Sequence, residues 1–250
     1  MTPARRLDEL RLALMLLTVI PAGRLSDPAP GLAQAAWAYP LIGLVTGSVG
    51  WAAFASLTAA GAAAPLSALV AVGALVAVTG GLHHDGLADF ADGVGGGRDR
   101  ARRLEIMRDS RIGTYGVLAL IFAVALPVMS LTDLAGRVSW AHFALIGTAS
   151  RFAMLAALIR LPQARSDGLG HHASGVGSAA LLAGLVSIAA LCLLAGTAAF
   201  WGILAIALAA LIVAHVARTR LGGQTGDVLG TVQLTSEVAA WLALALLLPA

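Results

Sequence analysis

Three carboxylates, Asp85, Asp89 and Asp92, stand in the stretch Gly80-Gly81-Leu82-His83-His84-Asp85-Gly86-Leu87-Ala88-Asp89-Phe90-Ala91-Asp92-Gly93, directly after a very apolar run. On a helix their i, i+4, i+7 spacing puts them within about 60° of one another on one face. Like charges gathered this way repel, and a folded chain answers with a cation; oxygen-only ligands suit Mg²⁺. Gly86, Ala88, Ala91 and Gly93 are small enough to let a ligand approach the backbone. The bland alternative is a solvated loop with incidental acids. Against it, the acids follow an apolar span, where charge is costly and usually functional. His83 and His84 precede them and can hydrogen-bond a phosphate or carboxylate, with zinc ligation as a weaker alternative.

A second charged stretch follows. Residues 99–111 read as a short helix in which Glu105 and Asp109 could add metal ligands and Arg108 and Arg111 share a face. An arginine fork grips phosphate oxygens in pairs, so arginines beside a metal suit a pyrophosphate. For Arg102 and Arg103 ordinary ion pairing along a solvated helix is the simpler reading. A third cluster, Gly222-Gly223-Gln224-Thr225-Gly226-Asp227, is followed by Gln233 and Glu237 and could line a phosphate or bring Asp227 to the metals. His171 and His172 are weaker candidates, Arg151 is expected to be paired or to face a cavity, and His142 and His215 read as structural. Together these groups point to metal-assisted phosphoryl transfer at a membrane surface.

The elements that position them must be membrane helices. Of 250 residues, 59% are hydrophobic and 12% charged, about half the charge of a soluble domain. Mean hydropathy is +0.88, and several continuous apolar runs can cross ~30 Å of hydrocarbon. The expected class is all-α, a polytopic integral membrane protein; a β-barrel would alternate apolar and polar residues instead. All sixteen basic residues are arginine. That charge fits the positive-inside rule better than nucleic-acid binding. The single cysteine, Cys192, excludes an intrachain disulfide.

Run 12–20 is short and is broken by Pro21 and Gly23, which suggests an interfacial or re-entrant segment. Asp8, Glu9 and Arg11 sit too close to it for a cleaved signal sequence. Seven spans are expected, at about 31–60, 65–80, 112–131, 139–159, 178–194, 200–217 and 238–248. Gly43, Gly47 and Gly50 in the first would let another helix approach closely. With seven spans, fourteen of the sixteen arginines share one side, which the charge rule assigns to the cytoplasm. The chain then reads as one transmembrane helical domain over residues 1–250, with cytoplasmic active-site loops around 83–111, 161–177 and 218–237.

The sequence resembles the cobalamin synthase family, the adenosylcobinamide-GDP ribazoletransferases. Residues 80–93 follow that family's Gly-Gly-Leu-His-Leu-Asp-Gly-Leu-Ala-Asp-Thr-Ala-Asp-Gly signature, except at His84 and Phe90. The match continues through residues 95–98 and 104–116, and the Gly-Gly-x-Thr-Gly-Asp at 222–227 and Glu237 also agree. Leu234 replaces an acid or amide common in relatives, and Val19 replaces an arginine of the N-terminal element.

The resemblance implies a Mg²⁺-dependent late step of cobalamin biosynthesis in the plasma membrane of a prokaryote. Adenosylcobinamide-GDP and α-ribazole, or its 5′-phosphate, would give adenosylcobalamin, or its phosphate, and GMP, with the ribazole 5′ oxygen as nucleophile. Asp85, Asp89 and Asp92, with Glu105, would hold the metal on the pyrophosphate. Arg108 and Arg111 would stabilise the departing GMP, while Asp109, Asp227 and His83 are the candidates to orient or deprotonate the nucleophile. The lipid bilayer is the other implied partner, nucleic acid is not, and homo-oligomerisation is left open. Two alternatives are a CDP-alcohol-type phosphotransferase, whose arginine after the alanine is missing here, and a divalent-cation transporter, whose acids would sit near the bilayer midplane.

Overall fold

The computed structural model describes residues 2–166 and 176–248, and every regular element among them is helical. The helices are α1 (Pro3–Leu17), α2 (Leu32–Ala35), α3 (Tyr39–Ala59), α4 (Ala64–Val78), α5 (Leu82–Gly96), α6 (Arg100–Ile106), α7 (Thr114–Asp133), α8 (Trp140–Arg160), α9 (Leu181–Ala195), α10 (Ala198–Val216) and α11 (Gly226–Leu247). Among the described residues six stretches are long and apolar enough to cross a membrane: Leu32–Ala59, Thr114–Asp133, Trp140–Arg160, Ser178–Ala195, Ala199–Leu221 and Gly226–Leu247. The pair Ala64–Val78 and Leu82–Gly96 would make a seventh but is bent by 88°.

That bend explains the paired glycines that open the acidic stretch. Gly80 and Gly81 both take left-handed backbone angles, φ 60° and 71°, which side-chain-bearing residues rarely adopt. They end α4 and send α5 off at nearly a right angle. From there Gly86 meets the start of α11, Asp92 meets the start of α7 and Gly93 packs on Met107. We therefore place α5 along the polar end of the bundle rather than across the bilayer.

The centre is α8, with nearly every residue from Ala141 to Leu158 buried. Helix α3 lies against it so closely that a Cβ on Gly43 would run into the Gly147 carbonyl, and one on Gly47 into that of Phe143. The sequence-based expectation for these glycines therefore holds. Phe143 carries the packing on to α11 through Trp241, ring centroids 4.6 Å apart. The periphery is the reverse. Leu193 is 87% exposed, Leu211 68% and Met129 67%, a surface suited to lipid rather than water.

Helix α1 is a 15-residue element, shorter than a span. Thr2 caps it and Pro3 opens it. Its acids tie it to the rest of the chain: Glu9 accepts from the Trp37 indole (2.7 Å) and Asp8 from Ser26 N (3.3 Å), while Arg6 and Arg11 pair with them along the helix itself (2.8 and 3.2 Å).

The last helix begins earlier than hydropathy suggests, at Gly226 instead of 238. Thr225 caps it, accepting from Val228 N at 3.3 Å. Its first three turns carry Asp227, Thr231, Gln233, Ser236 and Glu237. These face other helices, so of the loop expected at 218–237 only residues 222–225 lie outside helix: Ala217–Leu221 prolongs α10 as a π-helical turn and α11 starts at Gly226.

Candidate functional site

The acidic face forms where α5 crosses α11. Gly86 makes the crossing: a Cβ there would lie 3.0 Å from the Asp227 carbonyl. Thr231 Oγ1 donates to the Gly86 carbonyl at 3.1 Å and pins the two helices together. Asp227, in the first turn of α11, thereby joins Asp85 and Asp89 of α5. Asp89 feels Asp85, Asp227 and Asp92 as like charges and Arg165 as an opposite one. Its carboxyl is pushed up to about 7, first by partial burial and then by those neighbouring acids.

Arg165 is the cation that reaches this cluster. Its guanidinium stands 3.7 Å from Asp227 and donates to the Leu104 carbonyl at 2.8 Å. Around it three distant stretches are stitched into one polar end. Arg100 donates to the carbonyls of Leu221 (2.7 Å) and Ala164 (3.0 Å), and Ala164 N donates to Gln224 O (2.9 Å). Gly223 fits this seam because a Cβ there would strike the Pro162 carbonyl.

Asp92 does different work. It is buried, and its two oxygens accept from Gly113 N (2.7 Å) and Gly116 N (2.8 Å) at the start of α7. It satisfies amides that helix geometry leaves unpaired, and both glycines are needed because a Cβ on either would enter its carboxylate. Glu105 pairs with Arg102 at 2.8 Å, both exposed. It lines a depression of about 280 Å³ with Arg108, Asp109 and Arg111. There Arg111 donates to both Asp109 oxygens, at 2.7 Å from Nη2 to the nearer. Those bonds hold the Asp109 carboxyl down at about 2. The sequence-expected ligands therefore divide: Asp85 and Asp89 stand with Asp227, Asp92 holds α7, and Glu105 belongs to the neighbouring depression.

Behind the acids lies a cavity of about 120 Å³. Asp85 and Asp227 edge it; Leu17 of α1, Tyr39 of α3, Met154 and Leu158 of α8 and Leu229 of α11 wall it. His83 lines it too. This residue is 3% exposed, and neither ring nitrogen has a hydrogen-bond partner among the described residues. His83 also borders a smaller polar cavity with Arg151, Gln233 and Glu237. Arg151, expected to be paired or to face a cavity, donates to the Gly147 carbonyl at 3.1 Å and attracts Glu237, which accepts from Gln233 at 2.6 Å. His142 caps α8 beside Ser139. His171 and His172 lie outside the described residues.

Among the described residues no three His, Cys, Asp or Glu side chains form a ready cage for a cation. Mg²⁺ seldom needs one: it keeps several waters and is held by one or two carboxylates plus substrate phosphates. Hard oxygens from Asp85, Asp89 and Asp227, repelling one another around Asp89, fit that mode. Arg165 and the walled cavity are the features sequence reading missed. In the sequence Arg165 is one more loop arginine, and only the seam with 221–224 brings it to Asp227.

The family model for cobalamin-5-phosphate synthase matches residues 9–245. A protein of Bradyrhizobium diazoefficiens named adenosylcobinamide-GDP ribazoletransferase is 41% identical over 240 residues, covering 94% of this chain and 92% of its own. Proteins with the same name from Mesorhizobium japonicum (40% identical, 97% of this chain and 94% of that one) and Escherichia coli K12 (41%, 82% and 85%) are similar. No solved structure matches the chain.

Proposed function

The chain belongs to the cobalamin-5-phosphate synthase family, and from that premise we propose that it joins adenosylcobinamide-GDP to α-ribazole, or to ribazole 5′-phosphate, with Mg²⁺ and release of GMP. The observation that carries this reading is the likeness to named ribazoletransferases over nearly the whole chain. Its signature residues, moreover, gather at one polar end, with Asp85 and Asp89 against Asp227 and Arg165.

The reaction is a displacement at the phosphorus attached to cobinamide. A ribose hydroxyl of ribazole forms the new P–O bond, the pyrophosphate bridge breaks, and GMP leaves with that bridging oxygen. Where ribazole 5′-phosphate is the substrate, the attacking oxygen has to be a secondary ribose hydroxyl, because the 5′ oxygen is already esterified. This replaces the expected 5′ attack. When bound, Mg²⁺ would neutralise the pyrophosphate oxygens.

Asp85 and Asp89 would hold the metal. Asp227 is the best placed of the three candidates to orient the nucleophile and take its proton. Asp109 is tied to Arg111, and His83 has no bond to the acids. Arg165 would offset charge at the reacting phosphate. Arg108 and Arg111 would receive the GMP end in the neighbouring depression, Arg111 exchanging Asp109 for phosphate. Asp92 and Glu105 carry no metal in this scheme. The arginine-rich end would face the cytoplasm of a prokaryotic cell.

The deciding measurement is GMP release by detergent-purified protein given adenosylcobinamide-GDP, α-ribazole and Mg²⁺. Turnover that stops with EDTA and returns with Mg²⁺ is expected. No GMP from folded protein would overturn the activity, and turnover indifferent to EDTA would overturn the metal.

A further inference from the structure

We propose that the cavity behind Asp85 and Asp227 is the subsite for the aromatic base of ribazole, with His83 as the hydrogen-bond partner of its free ring nitrogen. This rests on the ribazoletransferase reading and adds where one substrate sits. Three chemically different pieces meet in the reaction: a corrinoid, a guanine nucleotide and a benzimidazole nucleoside. The cavity suits only the third. At about 120 Å³ it is far too small for a corrin ring. Guanine presents several donors and acceptors along one edge, whereas these walls are mainly leucine and methionine; away from the acidic rim the polar side-chain groups are His83 and the Tyr39 hydroxyl, and the latter donates to the Leu32 carbonyl at 3.4 Å.

The base of ribazole is flat, carries two methyl groups and has one ring nitrogen left to accept a hydrogen bond. Leu17, Tyr39, Met154, Leu158 and Leu229 offer apolar walls to such a ring. His83, 97% buried by its 3% exposure and with both ring nitrogens unpartnered, supplies the missing donor. A buried polar group left without a partner is costly, so His83 itself points to a ligand. The cavity's edge lies at Asp85 and Asp227, so a base lodged there leaves its ribose beside the acids, where a hydroxyl must attack. The wall also offers a test: Met154 and Leu158 are both buried and line the cavity, so a bulkier ring at either would intrude on it.

The experiment is equilibrium dialysis of α-ribazole alone against the full detergent-purified chain and its Leu158→Phe and Met154→Phe variants, each checked for folding by gel filtration and melting. Filling the cavity should weaken ribazole binding at least about tenfold in whichever variant folds. Folded variants that bind ribazole as the wild type does, or a wild type that binds none, would overturn the assignment. An analogue with the acceptor nitrogen replaced by CH should bind roughly fivefold to tenfold more weakly to the wild type but not to His83→Phe. Equal loss in both would remove His83 from the subsite. GMP release measured in parallel separates the two readings. Normal turnover with unaltered ribazole binding in the variants overturns the subsite alone; ribazole binding that the variants weaken, without turnover by the wild type, overturns the activity alone.

Discussion

The acidic face and the arginine-lined depression beside it are both charged, but they are built in opposite ways. The depression comes from residues 102–111, a single local stretch, and its charges pair off within it, Arg102 with Glu105 at 2.8 Å and Arg111 with Asp109 at 2.7 Å. The acidic face draws Asp85 and Asp89 from α5, Asp227 from α11 and Arg165 from the segment after α8. There the acids outnumber the cation and press on one another. Local pairing satisfies charges, so a ligand there has to displace a partner, as phosphate would displace Asp109 from Arg111. Assembly from afar can hold like charges together, and that imbalance is what a metal with its phosphates can relieve.

Substitutions can break this contrast, and the largest effect belongs to the acids. Asp85→Asn should cost on the order of 10²–10³ in kcat with no change in melting temperature; a near-normal rate would move the chemistry elsewhere. Arg165→Met should cost about 10–10² in kcat/KM, as loss of an outer partner of a metal site does. Arg111→Met should act more weakly, raising KM for the nucleotide substrate by roughly threefold to tenfold. If Arg111 mattered more than Arg165, the contrast would be reversed. Asp92→Ala should show chiefly in stability, about 1–2 kcal/mol for a lost helix cap, measured by thermal melting. Smallest of all, Glu105→Gln should leave both the Mg²⁺ dependence and the melting temperature unchanged; a shifted Mg²⁺ requirement would return Glu105 to the metal.

Much of the architecture was legible because apolar runs and membrane thickness impose it. Six of the seven expected spans and the close crossing at Gly43 and Gly47 follow from the sequence alone, whereas the span expected at 65–80 is a 15-residue helix that turns by 88° into α5. The start of α11 did not, because a window of hydropathy cannot tell polar residues facing other helices from polar residues in a loop. Gln233, 1% exposed, is in the first group. Spacing on a helix put Asp92 with Asp85 and Asp89 but could not reveal that the amides of Gly113 and Gly116 take both its oxygens. Arg165 was illegible for another reason: its partner is Asp227, and nothing along the chain between them marks the pairing.

Arg151 and Glu237 also bear on how the protein is made. An arginine near the middle of an isolated membrane helix costs about 2.5–3.5 kcal/mol to insert. Its counter-charge lies on α11, three spans later in synthesis. Without α11 that charge has only the Gly147 carbonyl of its own helix, at 3.1 Å, while the glycines of α3 let that helix lie flush against α8. A chain lacking α11 would keep Arg151 buried in α8 but lose Glu237, leaving a charged span without its counter-charge.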